Sequence, residues 1–176
     1  MRIVQAFHNV SVVTITDPSA LTVPPSPVLE TPPASPDVAA AYFSARLTFH
    51  ADVADVHASL ELSNPGFVLI DSRALPGWQQ GHIPGALHLP TGEIAARALV
   101  ELDLAVPVVT YCWGPGCDGA TRAALAFATL GFRVKEMIGG IEYWIREGFP
   151  VQTLDGQVTE PVDGRVAPLG GIACGC

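Results

Sequence analysis

Two uninterrupted apolar runs constrain the fold of this chain more than any other feature. FVLID (67–71) and VPVVTYC (106–112) are built largely of apolar side chains, and neither alternates apolar with polar positions. A strand that is apolar on both faces must be covered on both faces, as in a parallel sheet with helices packed against each side. The two runs therefore predict buried strands of an α/β fold.

Helical patterns lie before, between and after these strands. Ser35 and Asp52 are predicted to cap helices that continue in DVAAAYFSARL and VADVHASLEL. GEIAARALVEL, ATRAALAFATL and IEYWIREG are also predicted to be helical, and short strands are predicted at 86–89 and in RVKEM. Strands that alternate with helices of this length predict a mostly parallel sheet.

The chain divides into three parts by composition. Prolines crowd residues 17–37, and because proline removes a backbone donor and favours extended conformations, residues 1–36 are predicted to be a Pro-rich flexible N-terminal extension. Residues 37–152 carry the strand and helix patterns of one domain. After Pro150 these patterns decay, and residues 153–176 are predicted to be a flexible C-terminal tail that ends in Cys-Gly-Cys.

Composition and charge argue against some classes of function. Hydrophobic residues make up 49% of the chain, which is enough for a packed core. The net charge of −8 and the lack of Lys/Arg clusters argue against binding to nucleic-acid phosphates. No apolar run approaches the ~20 residues that cross a bilayer, and the N-terminal stretch, in which Arg2 is the only Lys or Arg, makes a poor signal peptide. We therefore expect a cytoplasmic protein that binds neither nucleic acid nor membranes.

The chemistry is predicted to lie in the loop after the second apolar strand. Cys112 ends that strand, and a glycine-rich turn follows it before a helix begins. Backbone N–H groups of such a turn and the positive end of the helix form an anion-binding site, which is expected to lower the pKa of the Cys112 thiol and make it a nucleophile. The alternative is that Cys112 is a small buried apolar residue at a strand end. The candidate substrate-binding loop consists of Trp113, Gly114, Pro115, Gly116, Cys117, Asp118 and Gly119.

Three separate stretches of the chain resemble, in the same order, the rhodanese-type sulfurtransferases. VLIDSRALPGWQQGHIPGALHLP is similar to the family's first signature, and VVTYC is similar to the strand that leads to its active cysteine. GFRVKEMIGGIEYWIREGFPV is similar to the family's closing strand, Gly-Gly turn and helix. The resemblance covers residues 38–151. It implies about five parallel strands flanked by helices on both faces, and hence a single rhodanese-like domain at 37–152.

The resemblance also implies a reaction. The thiolate of Cys112 would attack the outer sulfur of a small donor such as thiosulfate and hold that sulfur as a persulfide. Cyanide or another thiol would then accept the sulfur, and a protein thiol is a further candidate acceptor. Covalent catalysis of this kind divides one transfer into two steps and needs no cofactor. In the family, the strand end occupied here by Asp71 and Arg73 braces the site, although an ion pair that only stabilises the fold would give the same sequence.

The loop departs from the family pattern at its helix end. CWGPGCDGATR is about two residues longer than the usual loop, and Gly119 stands where the family has a basic residue. Arg122, one helical turn further on, either supplies the missing positive charge or is a solvated helix residue. The related phosphatases require Cys-x5-Arg. Because Asp118 stands at the position of that arginine and would repel phosphate, phosphatase chemistry is the weaker interpretation.

The other three cysteines have open roles. Cys117 either attacks a persulfide on Cys112 to form a disulfide, or is a loop residue without redox function. Cys174 and Cys176 are candidates for relaying sulfur from Cys112, and the alternative is an inert tail. The four cysteines do not have a standard zinc spacing, so no metal site is predicted. A second function stays open, a non-catalytic rhodanese-like binding or redox-sensing module that uses a Cys112–Cys117 disulfide.

Overall fold

A five-stranded parallel sheet organises the domain. The computed structural model describes residues 26–166. Its strands are β1 (His50–Ala51), β2 (Val68–Asp71), β3 (Leu87–His88), β4 (Val108–Tyr111) and β5 (Val134–Met137), in the spatial order β1-β5-β4-β2-β3. All neighbouring pairs run parallel, so the predicted α/β fold with a mostly parallel sheet is confirmed.

Helices connect these strands, and their starts follow local capping rules. The described helices are α1 (Pro36–Phe49), α2 (Val53–Leu60), α3 (Leu75–Gln80), α4 (Ile94–Glu101), α5 (Gly119–Thr129) and α6 (Gly140–Arg146), with 3₁₀ turns at Pro27–Leu29 and Thr91–Glu93. Asp52 caps α2 as predicted, since its carboxylate accepts the amide N–H of Asp55 at 2.7 Å. At α1, Ser35 is the N-cap residue as predicted, but its hydroxyl donates to the Asp37 carboxylate at 2.6 Å and makes no capping bond to a helix amide.

Two apolar cores lie on the two faces of the sheet. Neighbouring residues of β2 belong to different cores: Leu69 packs with residues of α2 and α6, and Ile70 packs with residues of α4 and α5. Because side chains alternate between the faces of a strand, the two cores are on opposite sides of the sheet. Helices therefore cover both faces, as the resemblance implied.

The central strands bring two distant parts of the sequence together. β4 lies beside β2, and Asp71 is in register with Tyr111. The Ser72 amide continues the pairing by donating to the Tyr111 carbonyl at 3.1 Å. The residues that follow the two strands therefore emerge at the same edge of the sheet, where ligands bind in open α/β folds.

A β-hairpin lies in a segment for which the sequence predicts a flexible tail. β6 (Val151–Thr153) pairs with β7 (Gly156–Val158) in antiparallel fashion, so the prediction is wrong for residues 153–158. The Thr153 hydroxyl donates to the Gly156 carbonyl at 2.8 Å and stabilises the turn. Gln152 and His82 exchange two backbone hydrogen bonds, which attach the hairpin to the domain. Each strand has three residues, too few for an alternating pattern to be recognised.

The ends of the chain lie largely beyond this description. Residues 26–36, the described part of the predicted N-terminal extension, are exposed. Residues 1–25 and 167–176 are outside the described range, and the second segment contains Cys174 and Cys176. Among the helices of residues 26–166, none combines the length and the apolar character that crossing a membrane requires.

Candidate active site

Cys112 lies at the edge of a cleft formed by the loop after β4. Cys112 is 6% exposed, and it lines a cleft of about 640 Å³ at the carboxyl ends of the strands. Gly114, Pro115, Gly116, Cys117 and Asp118 line the same cleft. The structure therefore brings together six of the residues that the sequence predicts for the nucleophile and its loop.

The start of α6 holds the loop in place. The amide of Ile141 donates to the Cys112 carbonyl at 3.0 Å, and the amide of Glu142 donates to the Trp113 carbonyl at 2.9 Å. This contact requires glycine at position 140, where φ is +59° and an added Cβ would lie 2.6 Å from the Cys112 carbonyl oxygen. The Gly-Gly turn after β5 thus positions the loop backbone from the side opposite α5.

The two loop cysteines are in contact. Their Sγ atoms are 3.3 Å apart, and both thiols are free. A turn closed by a hydrogen bond from the Cys117 amide to the Gly114 carbonyl, at 3.0 Å, brings Cys117 back toward Cys112. Gly119 approaches both sulfurs: its amide donates to Cys117 Sγ at 3.4 Å, and an added Cβ would lie 2.5 Å from Cys112 Sγ.

The pKa values of the two loop thiols are shifted in opposite directions. Burial, followed by the hydrogen bond with Cys117, raises the pKa of Cys112 to about 11. The Gly119 amide, followed by the hydrogen bond with Cys112, lowers the pKa of Cys117. The predicted lowering of the Cys112 pKa is therefore wrong, because the first amide of α5 donates to the other sulfur. Cys117 is therefore the more readily ionised thiol of the pair.

These opposite shifts predict different alkylation profiles. Since the thiolate is the reacting form, iodoacetamide is expected to modify Cys117 at lower pH than Cys112. In Cys117→Ala, the hydrogen bond and the charge that raise the Cys112 pKa are lost, so the midpoint for Cys112 should move to lower pH. A decrease of one in pKa gives about tenfold more thiolate at neutral pH. Peptide mapping across a pH series measures both midpoints, and an unchanged Cys112 midpoint in the variant would contradict the role given to Cys117.

A buried ion pair between Asp71 and Arg73 lies at the end of β2. The guanidinium of Arg73 donates to the Asp71 carboxylate through Nε at 3.0 Å and through Nη2 at 2.6 Å, and Nη2 also donates to the Gly81 carbonyl. The Tyr111 hydroxyl donates to the same carboxylate at 2.7 Å. Burial alone would lower the pKa of Arg73, but its bonds to Asp71 raise it, so the guanidinium stays charged. Neither Asp71 nor Arg73 lines the cleft, and their predicted role in supporting the site stays a prediction.

Trp113 connects this ion pair with the loop. The ring centroid of Trp113 lies 4.5 Å from the Arg73 guanidinium carbon, within the range of a cation–π contact. The same ring packs on Gly77, where an added Cβ would lie 2.7 Å from it. Trp113 therefore anchors the loop away from the cleft and does not line it, contrary to its predicted place among the substrate-binding residues.

Arg122 is not among the residues that line the cleft. Its guanidinium forms an exposed ion pair with Asp118 at 2.8 Å. Of the two interpretations left open by the sequence, the structure therefore favours a solvated helix residue. Asp118 lines the cleft but has this partner, which lowers the pKa of its carboxyl.

The walls of the cleft carry mostly negative charge. Among the described residues that line it, the charged side chains are Asp52, Asp118, Glu136, Glu147 and Arg46. Burial and then the charge of Asp52 raise the pKa of Glu147, which indicates that the carboxylates are close enough to repel one another. Apart from Asp118, sequence reasoning missed these residues. They come from α1, the start of α2, β5 and the end of α6, and no local motif connects them.

The described residues contain no group of three or more His, Cys, Asp or Glu side chains that could hold a metal ion. Cys112 and Cys117 are the cysteines of that range. The roles considered for Cys174 and Cys176 in sulfur relay stay predictions, because both lie outside it.

Comparison with known proteins gives consistent matches. A family model described as Rhodanese-like domain matches residues 53–147. The HTH-type transcriptional regulator Rv0324 of Mycobacterium tuberculosis is 39% identical over 83 residues, which cover 47% of this chain and 36% of the regulator. Thiosulfate sulfurtransferase GlpE of Pseudomonas savastanoi pv. phaseolicola is 33% identical over 96 residues, which cover 54% of this chain and 87% of that enzyme. This chain thus spans about a third of the regulator and most of the sulfurtransferase.

A solved structure also matches. The crystal structure of the BH2092 protein from Bacillus halodurans is similar with a TM-score of 0.65 and 38% sequence identity. The match covers 69% of this chain and 89% of that one.

Proposed function

The chain belongs to the family of rhodanese-like domains, and on that premise we propose that it is a sulfurtransferase. It takes a sulfane sulfur from a donor such as thiosulfate, holds it as a persulfide on Cys112, and passes it to cyanide or to a thiol. The observation that carries this proposal is the position of Cys112, at the end of a central strand and on a cleft lined by its own loop. The similarity to a thiosulfate sulfurtransferase over most of that enzyme's length also supports it.

The neighbouring thiol supplies the proton acceptor that the nucleophile needs. Burial raises the pKa of Cys112 to about 11, and the Cys117 sulfur, whose pKa is lowered, lies 3.3 Å away. Cys117 takes the proton as the Cys112 sulfur attacks the outer sulfur of thiosulfate, and sulfite leaves. General-base assistance of this kind lets a thiol with a raised pKa react without first ionising in full.

Backbone amides stabilise the charge that forms. The amide of Trp113 favours the anionic form of both thiols, and the amide of Gly119 is the first of α5, where the helix dipole is positive. Such donors lower the energy of an anionic persulfide in the same way as they stabilise developing charge in other covalent reactions. An acceptor then attacks the outer sulfur, and Cys112 leaves as the thiolate.

The carboxylates of the cleft set which donors bind well. Thiosulfate is a dianion, and it must approach Cys112 past Asp52, Glu136 and Glu147. Like charges in a cleft lower the local concentration of an anionic substrate. We expect weak binding of thiosulfate and better use of an uncharged or cationic sulfur donor.

Neutralising two of these carboxylates is expected to improve the use of thiosulfate. In Glu136→Gln/Glu147→Gln, the KM for thiosulfate should fall by about two- to fivefold at low salt, because the repulsion is reduced at nearly constant shape. The KM for an uncharged organic polysulfide serves as the control and should stay constant. Steady-state kinetics with both donors, at low and high ionic strength, measure the effect. An equal change for the two donors would contradict an electrostatic origin.

Intact-mass spectrometry tests the proposed function directly. The reduced protein is exposed briefly to thiosulfate, and separately to an uncharged persulfide donor. A gain of one sulfur atom that maps to Cys112, and that cyanide or a small thiol removes, is the expected result. If neither donor adds sulfur to the wild type or to Cys117→Ser, and the wild type releases no sulfide, the proposed sulfurtransferase function is wrong.

The contact between the two thiols also supports a second candidate, a redox-sensing module. In that function an oxidant closes a Cys112–Cys117 disulfide, and the protein carries no sulfur. The match to part of a transcriptional regulator is compatible with such a role. The same mass measurement on Cys117→Ser separates the candidates, because in this variant a sulfurtransferase treated with donor gains one sulfur atom on Cys112 and a sensor gains none.

A further inference from the structure

We propose that Cys117 resolves the persulfide on Cys112, releasing hydrogen sulfide and closing a Cys112–Cys117 disulfide. The protein would then release sulfide as well as transfer sulfur, and each turnover would need a small thiol to reduce the disulfide. The inference rests on the proposed function, because it requires a persulfide on Cys112. It makes Cys117 a catalytic residue for a second reaction, since its sulfur contacts the reacting atom.

The geometry of the pair suits an attack by Cys117 on the inner sulfur. The two Sγ atoms are 3.3 Å apart, within the separation of about 3–3.5 Å at which reacting atoms are poised. A disulfide has its sulfurs about 2.05 Å apart, so the pair has to close by a little over 1 Å. External acceptors have to reach Cys112 through the cleft, whereas Cys117 is already in contact.

The loop has room for this movement. Cys112 and Trp113 are held by the amides at the start of α6. The turn that carries Cys117 is less confined, because an added Cβ at Gly116 meets no atom within 4 Å. Gly119 leaves space for both sulfurs, whereas a side chain at that position would collide with Cys112 Sγ. The part of the loop that must move is therefore the part that borders open space.

The reaction balances without a further co-reactant. The thiolate of Cys117 attacks Cys112 Sγ, the bond between Cys112 Sγ and the outer sulfur breaks, and the Sγ–Sγ bond forms. The two cysteine sulfurs are oxidised, and the outer sulfur is reduced and leaves as hydrosulfide. Before the attack, the outer sulfur takes up the proton that Cys117 accepted when the persulfide formed, so that Cys117 reacts as the thiolate and the proton leaves with the hydrosulfide. A small thiol then reduces the disulfide in two exchange steps and restores both cysteines.

The acidity of the two thiols agrees with this geometry. The Gly119 amide lowers the pKa of Cys117, which favours the thiolate as the attacking form. Cys112 and Cys117 are the two cysteines of the described range, so no other thiol within it could resolve the persulfide. Cys174 and Cys176 lie outside that range, and they are therefore tested as alternative resolving thiols.

A single-turnover experiment on the full chain tests the proposal. The reduced protein is incubated to completion with thiosulfate or an uncharged persulfide donor, without external thiol, so that a change in rate alone does not matter. Free sulfide, intact mass and disulfide peptides are then measured for the wild type, Cys117→Ser, and Cys174→Ser/Cys176→Ser. We expect about one sulfide per chain from the wild type and from the tail variant, with a Cys112–Cys117 disulfide. Cys117→Ser should keep one added sulfur on Cys112 and release no sulfide.

The other outcomes are distinct. A stable persulfide on Cys112 of the wild type, with no sulfide, overturns the proposal and leaves the sulfurtransferase function standing. A persulfide that moves to Cys117, or a disulfide to Cys174 or Cys176, also overturns it, because Cys117 then is not the resolving thiol. If no variant and no wild-type sample takes up sulfur, the proposed function fails and the inference fails with it.

Discussion

Replacing Cys112 by serine is expected to lower the rate of sulfur transfer by at least about a thousandfold, because a nucleophile that forms the covalent intermediate has no substitute. The serine hydroxyl is a far weaker nucleophile than a thiolate at neutral pH. The measurement is kcat/KM for transfer from thiosulfate to cyanide, together with the intact mass after exposure to donor. The expected mass of the variant shows no added sulfur.

The control for Cys112→Ser is the stability of the variant. Serine is nearly the size of cysteine, so the thermal unfolding midpoint should change little and the loss of activity should not reflect unfolding. A variant that still takes up sulfur at the wild-type rate would contradict the assignment. Peptide mapping would then show whether Cys117, the thiol with the lower pKa, is the primary acceptor of sulfur instead.

Asp71→Asn is expected to lower the free energy of unfolding by about 3–5 kcal/mol, the usual cost of removing one partner from a buried ion pair. Asp71 is 0% exposed and Arg73 is 2% exposed, so the guanidinium would keep its charge in the core without its carboxylate. The Tyr111 hydroxyl also loses a charged acceptor. Urea unfolding measures the difference. Because Arg73 contacts the ring of Trp113, sulfur uptake should fall as well.

The chain contains a matched control for this substitution. Asp163 and Arg165 have the same spacing and the same bonds as Asp71 and Arg73: Nε to Oδ1 at 2.9 Å, Nη2 to Oδ2 at 2.8 Å, and the amide of the arginine to Oδ1. This pair is on the surface, with the Arg165 side chain 89% exposed. Asp163→Asn is therefore expected to leave the free energy of unfolding unchanged. Equal effects of the two substitutions would contradict the role of burial.

Several predictions from sequence depended only on local patterns, and these agree with the structure. The run at 67–71 and the run at 106–112 contain β2 and β4, because strands buried on both faces have few polar positions. The glycine-rich turn and the helix after Cys112 are also present. The short elements were harder to predict: β1 has two residues and the hairpin strands have three each, so their formation depends on partners elsewhere in the chain.

The acidity of Cys112 shows why the site itself was only partly predictable. The loop composition indicates backbone N–H groups near a thiol, but not which sulfur receives them. In the folded chain the Gly119 amide donates to Cys117, and burial acts on Cys112. The direction of the pKa shift of Cys112 therefore depends on where the Gly119 amide lies relative to the two sulfurs. The order of residues does not give that position.

The sequence by itself determined the α/β class, the position of Cys112 at a strand end, and the Asp71 and Arg73 motif, since each depends on residues that are close along the chain. Tertiary structure alone decided the contact between Cys112 and Cys117, the acidity of each thiol, and the carboxylates that surround them. The physical reason is that burial and charge depend on distances in space. Arg46, Asp52, Glu136 and Glu147 come from separate elements, and only the folding of the sheet brings them to one cleft.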